Sequence, residues 1–230
     1  PGRSFWPGRE QFRGGGPSWD QEVTVKLYDF PFSPNSRKVR AVAYELGIAL
    51  ETQRVDLLTG GQRAPEFLAK NPNGRVPVLE DGDLILWEST AIIRYLAVGS
   101  PLLPAARRTA AEVDRWTAWQ LAHLGPAMSK VAFEKIVKRL TGRGAPDEAR
   151  VAEGTEEFAR LTEILDGALA GREFVAGSLS LADFALAAHY SLAAAAGLEV
   201  APHRRVESWL ARVSARDSMK RALSDAQASL

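Results

Sequence analysis

Cysteine is missing altogether from the 230 residues. That excludes a disulfide framework, a thiolate metal site and a thiol nucleophile carried by the protein itself, so any sulfur chemistry must arrive with a ligand. Histidine is scarce, at three, and neither His189 nor His203 has ligand-like partners in the sequence, so no metal site is expected. Net charge is nearly absent too: 29 Lys and Arg stand against 28 Asp and Glu, without the basic excess of a nucleic-acid or anionic-membrane binder. The most apolar stretch, "LADFALAAHYSLAAAAGL" (181–198), carries Asp183 and His189 and is built on alanine, which suits a buried bundle helix better than a membrane span. Residues 1–22 are rich in Gly, Pro and Arg and lack the apolar core of a secretory signal. They read as an extension, with Phe5, Trp6 and Trp19 as candidate anchors to the body.

What is present is a chain of two characters. From residue 24, "TVKLYDF" alternates as a strand, and Val39, Val42, Ala43 and Leu46 then recur at helical spacing until Gly47. "ETQRVDL" (51–57) reads as a second strand, "APEFLAK" (64–70) as a short helix, and 76–89 as two strands around an Asp-Gly turn. "STAIIRYLA" closes the unit as a helix. This βαβαββα order over residues 23–97 predicts a thioredoxin-like α/β domain. "VGSPLLPA" (98–105) reads as a linker, and every periodic segment in 106–230 is helical, so an all-α bundle domain follows. Its first pattern, 106–124 and 126–140, is expected to break at Gly125-Pro126.

Three local features converge on one kind of ligand. In "FSPNSRKVRAVAYELGI" (32–48), Ser33 is a natural N-cap and Pro34 suits the first helical turn. Capping alone explains that pair, but a helix N-terminus also stabilises an adjacent anion, here a thiolate that a ligand must bring. In "NPNGRVPVL" (71–79), Pro77 at a strand entrance is a candidate for a cis bond that would turn the Val76 backbone toward an extended peptide; an edge proline in trans is the plainer alternative. In "ESTAIIRYL", Glu88 and Ser89 are either ordinary capping residues or the holders of an ammonium and a carboxylate. A thiol, an extended peptide middle and an amino-acid head together describe glutathione.

The chain resembles the glutathione S-transferase family over residues 24 to about 225. The resemblance is carried by "VKLYDFPFSPNSRKVR", "NPNGRVPVLEDGDLILWESTAIIRYLA" and "GSLSLADFALA", with Glu88-Ser89 eleven residues after Val76-Pro77. Ser33-Pro-Asn-Ser-Arg-Lys-Val looks like the serine-type branches, phi-like or a bacterial nu-like form. The resemblance implies Ser33 as the hydroxyl that stabilises the glutathione thiolate. Asn35 is the runner-up donor, because a bacterial disulfide-reducing branch places an active-site asparagine there. Tyr28, near the end of the first strand, is third. Gln62 and Arg63 fall where plant members place His and Lys against the glycyl carboxylate, and Arg75 replaces a common Gln. Binding of glutathione is therefore assigned to Gln62, Arg63, Arg75, Val76, Pro77, Glu88 and Ser89.

Phe32, Trp119 and His123 are candidates for a second-substrate pocket, although Trp116, Trp119 and His123 also fit a core stripe. "SLSLAD" (178–183) resembles the family's capping box, with Asp183 reaching back to Ser180, and is assigned to folding. The resemblance thus implies a cytoplasmic, homodimeric detoxifying enzyme whose partners are glutathione and an apolar electrophile. Glutathione-dependent disulfide or peroxide reduction, an isomerase or β-etherase activity and a non-catalytic binding module are the alternatives. Zeta-type isomerisation is disfavoured because Ser-Pro-Asn stands in place of that branch's Ser-Ser-Cys.

Overall fold

The computed structural model describes residues 24–227, so the proposed anchors Phe5, Trp6 and Trp19 lie outside the described residues. The first unit runs β1 (Thr24–Asp29), α1 (Pro34–Glu45), β2 (Ala49–Arg54), a single 3-10 turn at Gly61–Arg63, α2 (Pro65–Leu68), β3 (Val78–Asp81), β4 (Leu84–Trp87) and α3 (Ser89–Ala97). The sheet order is β2-β1-β3-β4, with β2 parallel to β1 and the other two pairs antiparallel. This is the expected thioredoxin-like topology.

Two details of that unit differ from the periodicity. The second strand is 49–54, not 51–57, because the Ala49–Arg54 register pairs it along the whole of β1. Val55 leaves the ladder, donating its N–H to Asp29 O at 2.7 Å, and its side chain packs elsewhere. The hairpin turn is Gly82-Asp83 and not Asp81-Gly82, since Asp81 pairs with Leu84 and Gly82 takes the positive φ of 60° at the first loop position.

Alternation sends the strand side chains to two cores. Val25, Leu27 and Leu79 face a large core that continues through α1 and α3 into the helical half. Tyr28 and Val78 point the other way, into a small cluster of Phe30, Val55, Phe67 and Val76. Helix α1 is buried over Ser36–Ala43, including Arg37, Lys38 and Arg40. The apolar spacing of Val39, Val42, Ala43 and Leu46 accounts for one face only: the polar face is covered as well, by helices from the far end of the chain.

The helical half comprises α4 (Arg107–Trp119), α5 (Gly125–Ala132), α6 (Lys138–Thr141), α7 (Glu148–Ala168), α8 (Leu181–Tyr190), α9 (Ala193–Ala196), α10 (Arg204–Ser214) and α11 (Asp217–Gln227), of which α8 and α11 cover α1. The break expected at Gly125-Pro126 does not occur. Pro126 has no N–H to give, and the chain stays helical by widening into π turns at Gln120–Leu124 and again at Phe133–Val137. Gly125 remains right-handed helical (φ −58°, ψ −50°), and its N–H reaches back to Gln120 O. Among the described residues, no helix is long and apolar enough to cross a membrane.

Helix α8 is buried at every position and sits at the centre of the bundle. Its capping box forms as read: Ser180 N–H donates to Asp183 Oδ2 at 2.9 Å. Helices α8 and α11 both pack on α1. Arg40 spans that contact, donating to the Asp29 carboxylate, to Pro31 O at 2.8 Å and to Ala222 O at 3.1 Å. The loop that leads into α1 is therefore held from the carboxy-terminal end of the chain.

Candidate active site

Two helix N-termini meet at the site. Ser33 caps α1 with extended backbone (φ −69°, ψ 124°), its Oγ accepting from Ser36 N–H at a long 3.4 Å. Pro34 occupies the first turn and removes one orphan donor. Capping uses a lone pair of the hydroxyl and leaves its O–H free to donate, so the structural role and a thiolate-stabilising role are compatible. Asn35 joins α1 to α3: its Oδ1 accepts from Ser89 Oγ at 3.2 Å. The donor left on that amide is Nδ2. Ser89 is buried at the first position of α3, and with its hydroxyl committed to Asn35, the backbone N–H groups of the first α3 turn are what remains for an anion.

Glu88 stands out by its backbone. With φ 70° and ψ 105° it is the one non-glycine among the described residues with positive φ. Its side chain is exposed and makes no capping bond, so simple capping does not explain it. Holding a non-glycine residue in that conformation costs about 1–3 kcal/mol. Glu88→Gly should relieve that strain, raising stability by about 1 kcal/mol in urea unfolding, and, on the sequence-based expectation that Glu88 pairs with the ammonium of glutathione, should weaken glutathione at least ~10-fold. Equal glutathione affinity in calorimetry would remove Glu88 from the site.

The loop facing this mouth is built by Asn71, which the sequence reading did not single out. Asn71 is buried; its Nδ2 donates to Arg75 O at 2.7 Å and its Oδ1 accepts from Asn73 N–H at 3.0 Å. The signal was its place at the head of "NPNG", an Asx-turn residue before a glycine. Gly74, at φ 59°, lets the loop approach the 3-10 turn: a Cβ there would lie 3.1 Å from Gln62 O and 3.5 Å from Arg63 Nη1. Gln62 and Arg63 are thus brought against the Arg75-Val76 loop. Gln62 Oε1 is buried without a partner, whereas Arg63 and Arg75 are exposed. Val76-Pro77 is cis, and both residues are buried.

The remaining candidates separate. Tyr28 donates its phenolic hydroxyl to Glu80 Oε2 at 3.0 Å, so its proton is engaged at the sheet. Phe32 packs on Phe30, with ring centroids 5.6 Å apart, in the small cluster that also holds Val76. Trp119 packs edge-on against Trp116 at 5.3 Å and joins the large core. His123, 6.3 Å from the Trp119 ring, is exposed and opens onto a groove of about 510 Å³ between α5 and α7, lined with Lys130, Glu153, Glu157 and Arg160. Neither Phe32 nor Ser33 lines that groove. The structure therefore does not bring His123 together with Phe32. Among the described residues, no group of three or more His, Asp or Glu could hold a metal ion.

Comparison with known proteins agrees with this geometry. The family described as Glutathione S-transferase, N-terminal domain, matches residues 23–98. Glutathione S-transferase 3 of Zea mays is 36% identical over 211 residues, covering 86% of this chain and 93% of its own length. The crystal structure of glutathione transferase F7 from Populus trichocarpa superposes with a TM-score of 0.82 at 31% identity, over 88% of this chain and 99% of that one. A glutathione transferase family member from Pseudomonas fluorescens, solved with two glutathione bound, gives 0.77 at 30% identity, over 89% and 94%. With this sheet, these two helix N-termini and these relatives, the chain belongs to the glutathione S-transferase family, on its serine-type, phi-like side.

Proposed function

We propose that this protein is a glutathione transferase that stabilises the glutathione thiolate for attack on an electrophilic small molecule. The observation that carries this reading is the meeting of two helix N-termini through Asn35 and Ser89, with a free hydroxyl proton on Ser33 beside them. The positive dipole ends of α1 and α3 face a thiolate and a carboxylate respectively, with the N–H groups of the first α3 turn there for the carboxylate. Glu88 then takes the ammonium, Val76 pairs with the peptide backbone, and Gln62, Arg63 and Arg75 serve the glycyl carboxylate. Ser33 acts by donating a hydrogen bond, with no need to act as a base. The thiolate attacks the electrophilic atom, a sulfur–carbon bond forms, and the leaving group departs with its electron pair. Phe32, next to Ser33, is proposed to border the apolar space for that electrophile.

A homodimer is part of the same reading, supported by the outward-facing Ile85 and Trp87 on edge strand β4, each 38% exposed. A cytoplasmic, detoxifying role extends it.

Retention on immobilised glutathione, followed by steady-state assays with an aryl halide and with hydroxyethyl disulfide, tests the proposal. Conjugation of the aryl halide is expected. Turnover of the disulfide alone would shift the chemistry to disulfide reduction, and activity with neither would leave a binding module. Because the protein has no cysteine, any disulfide turnover must use one glutathione to attack and another to resolve. No glutathione adduct of the protein should then appear in non-reducing mass spectrometry.

A further inference from the structure

Lys38, on the second turn of α1, is fully buried. Its Nζ donates to Thr90 Oγ1 and to Gln120 Oε1, each at 3.1 Å. Neither acceptor is charged. Thr90 follows Glu88 and Ser89 at the start of α3, so the ammonium lies one side chain behind the proposed head site.

The far end of the arrangement is fixed in direction. His189 Nδ1 lies 3.1 Å from Ala185 O, which can only accept, so the proton is on Nδ1. Burial, with Lys38 and Arg37 nearby, lowers His189 to about 3 and keeps it neutral. Its Nε2 therefore accepts from Gln120 Nε2 at 3.1 Å, which turns Gln120 Oε1 toward Lys38. Gly125 makes room for this: a Cβ there would meet Gln120 Nε2 at 3.0 Å and His189 Nε2 at 3.6 Å. The π turn at Gln120–Leu124, with Gly125 just beyond it, thus sets Gln120 Oε1 against the Lys38 ammonium.

That cation is unfavourable in the free protein. Burial pulls the Lys38 ammonium down to about 7, and the charge of Glu88 only partly offsets this. The charged group acting on it is Glu88 from the start of α3, while neutral His189 from α8 faces both Lys38 and its helix neighbour Arg37. The α11 carboxylate of Asp225 is engaged with Tyr44 and Arg40 instead. A buried ammonium whose acceptors are neutral carries a desolvation cost that an opposite charge brought beside it would offset.

We propose that Lys38 is a positioning residue whose buried ammonium, held by Thr90 and Gln120, is the counter-charge for the α-carboxylate of glutathione's γ-glutamyl head. The inference rests on the glutathione reading of the site. The bound carboxylate draws a proton onto Lys38, so binding is coupled to proton uptake. Below about pH 6 Lys38 is charged in both states and affinity is full; as pH rises past 7 the free protein loses that proton and affinity falls.

S-methylglutathione, whose thiol is capped, is the probe. Calorimetry in buffers of differing ionisation heat should show proton uptake by wild type near pH 7.5 and none by Lys38→Met. The variant should bind roughly tenfold more weakly at pH 6 and approach wild type above pH 8. The ligand's own ammonium titrates alike in both. Wild-type binding without proton uptake, or an unchanged affinity and pH profile in Lys38→Met, overturns the role of Lys38 alone. No wild-type binding at all overturns the glutathione reading and this inference with it. Should Lys38→Met not fold, Gln120→Glu decides: a carboxylate beside the ammonium should move the uptake upward by about one pH unit, and an unmoved profile overturns the proposal.

Discussion

Asp183→Ala is expected to lower the unfolding free energy by about 4 kcal/mol, a large share of the roughly 5–15 kcal/mol that holds a domain of this kind together. Asp183 is fully buried at the start of α8, and its carboxylate collects four donors: Val175 N–H at 3.1 Å, Ser180 N–H at 2.9 Å, Ser180 Oγ at 3.0 Å and Trp209 Nε1 at 2.9 Å. Burial pushes its carboxyl above the ordinary range, and these donors work against that shift. Three of them are N–H groups that cannot turn to another role. Truncation strands all three inside the core, at about 1–3 kcal/mol for each buried group left unpaired. Val175 and Ser180 from the segment before α8 and Trp209 from α10 lose their common acceptor at once. Urea unfolding followed by tryptophan fluorescence reports this directly, since Trp209 is one of the donors. Asp183→Asn, which keeps an acceptor for part of the set, should fall between. A loss under about 1 kcal/mol in Asp183→Ala would show that the network is not what anchors α8.

Ser33→Ala is expected to reduce kcat/KM by about 100-fold, with glutathione affinity changed only two- to threefold. The hydroxyl touches the reacting sulfur and no other part of the ligand in the proposed geometry. Its loss therefore appears in the thiolate and in turnover, and little in binding. A structural explanation through the cap can be separated from this. The cap bond is long, 3.4 Å to Ser36 N–H, and glycine is nearly as good an N-cap as serine, within a few tenths of a kcal/mol. Ser33→Gly should thus fold as well as wild type and still lose the same factor in turnover. Full activity in Ser33→Gly would return Ser33 to capping alone.

Much of this was legible in the sequence because it is written in local chemistry. The change from two-residue to helical periodicity gave βαβαββα, Gly47 and Gly82 marked turns, and Ser180 with Asp183 spelled a capping box that the structure contains. The candidate cis bond at Val76-Pro77 was legible from the proline's place at a strand entrance. What was not legible depends on elements far apart in the chain. Arg40 meets Ala222 across 182 residues, and Lys38 meets Gln120 across 82. On a helical wheel both are ordinary solvated charges, and the return of later elements over α1 buries them, α11 over Arg40 and α3 with the Gln120 turn over Lys38. The continuity of the helix through Gly125-Pro126 was hidden for a related reason: proline's missing donor predicts a break, and the widened turn that accommodates it is stabilised by the packing of Gln120 and His189.

The central claim is that Ser33, at the N-terminus of α1, holds the glutathione sulfur as a thiolate. Its most direct test is the ultraviolet thiolate absorbance of bound glutathione, titrated in wild type, Ser33→Ala and Asn35→Ala. In wild type the bound thiol should titrate about two units below free glutathione, worth ~2.7 kcal/mol. Ser33→Ala should return most of that shift, and Asn35→Ala should leave it in place. An unchanged titration in Ser33→Ala, with the rise appearing in Asn35→Ala instead, would contradict the assignment and give the thiolate to Asn35.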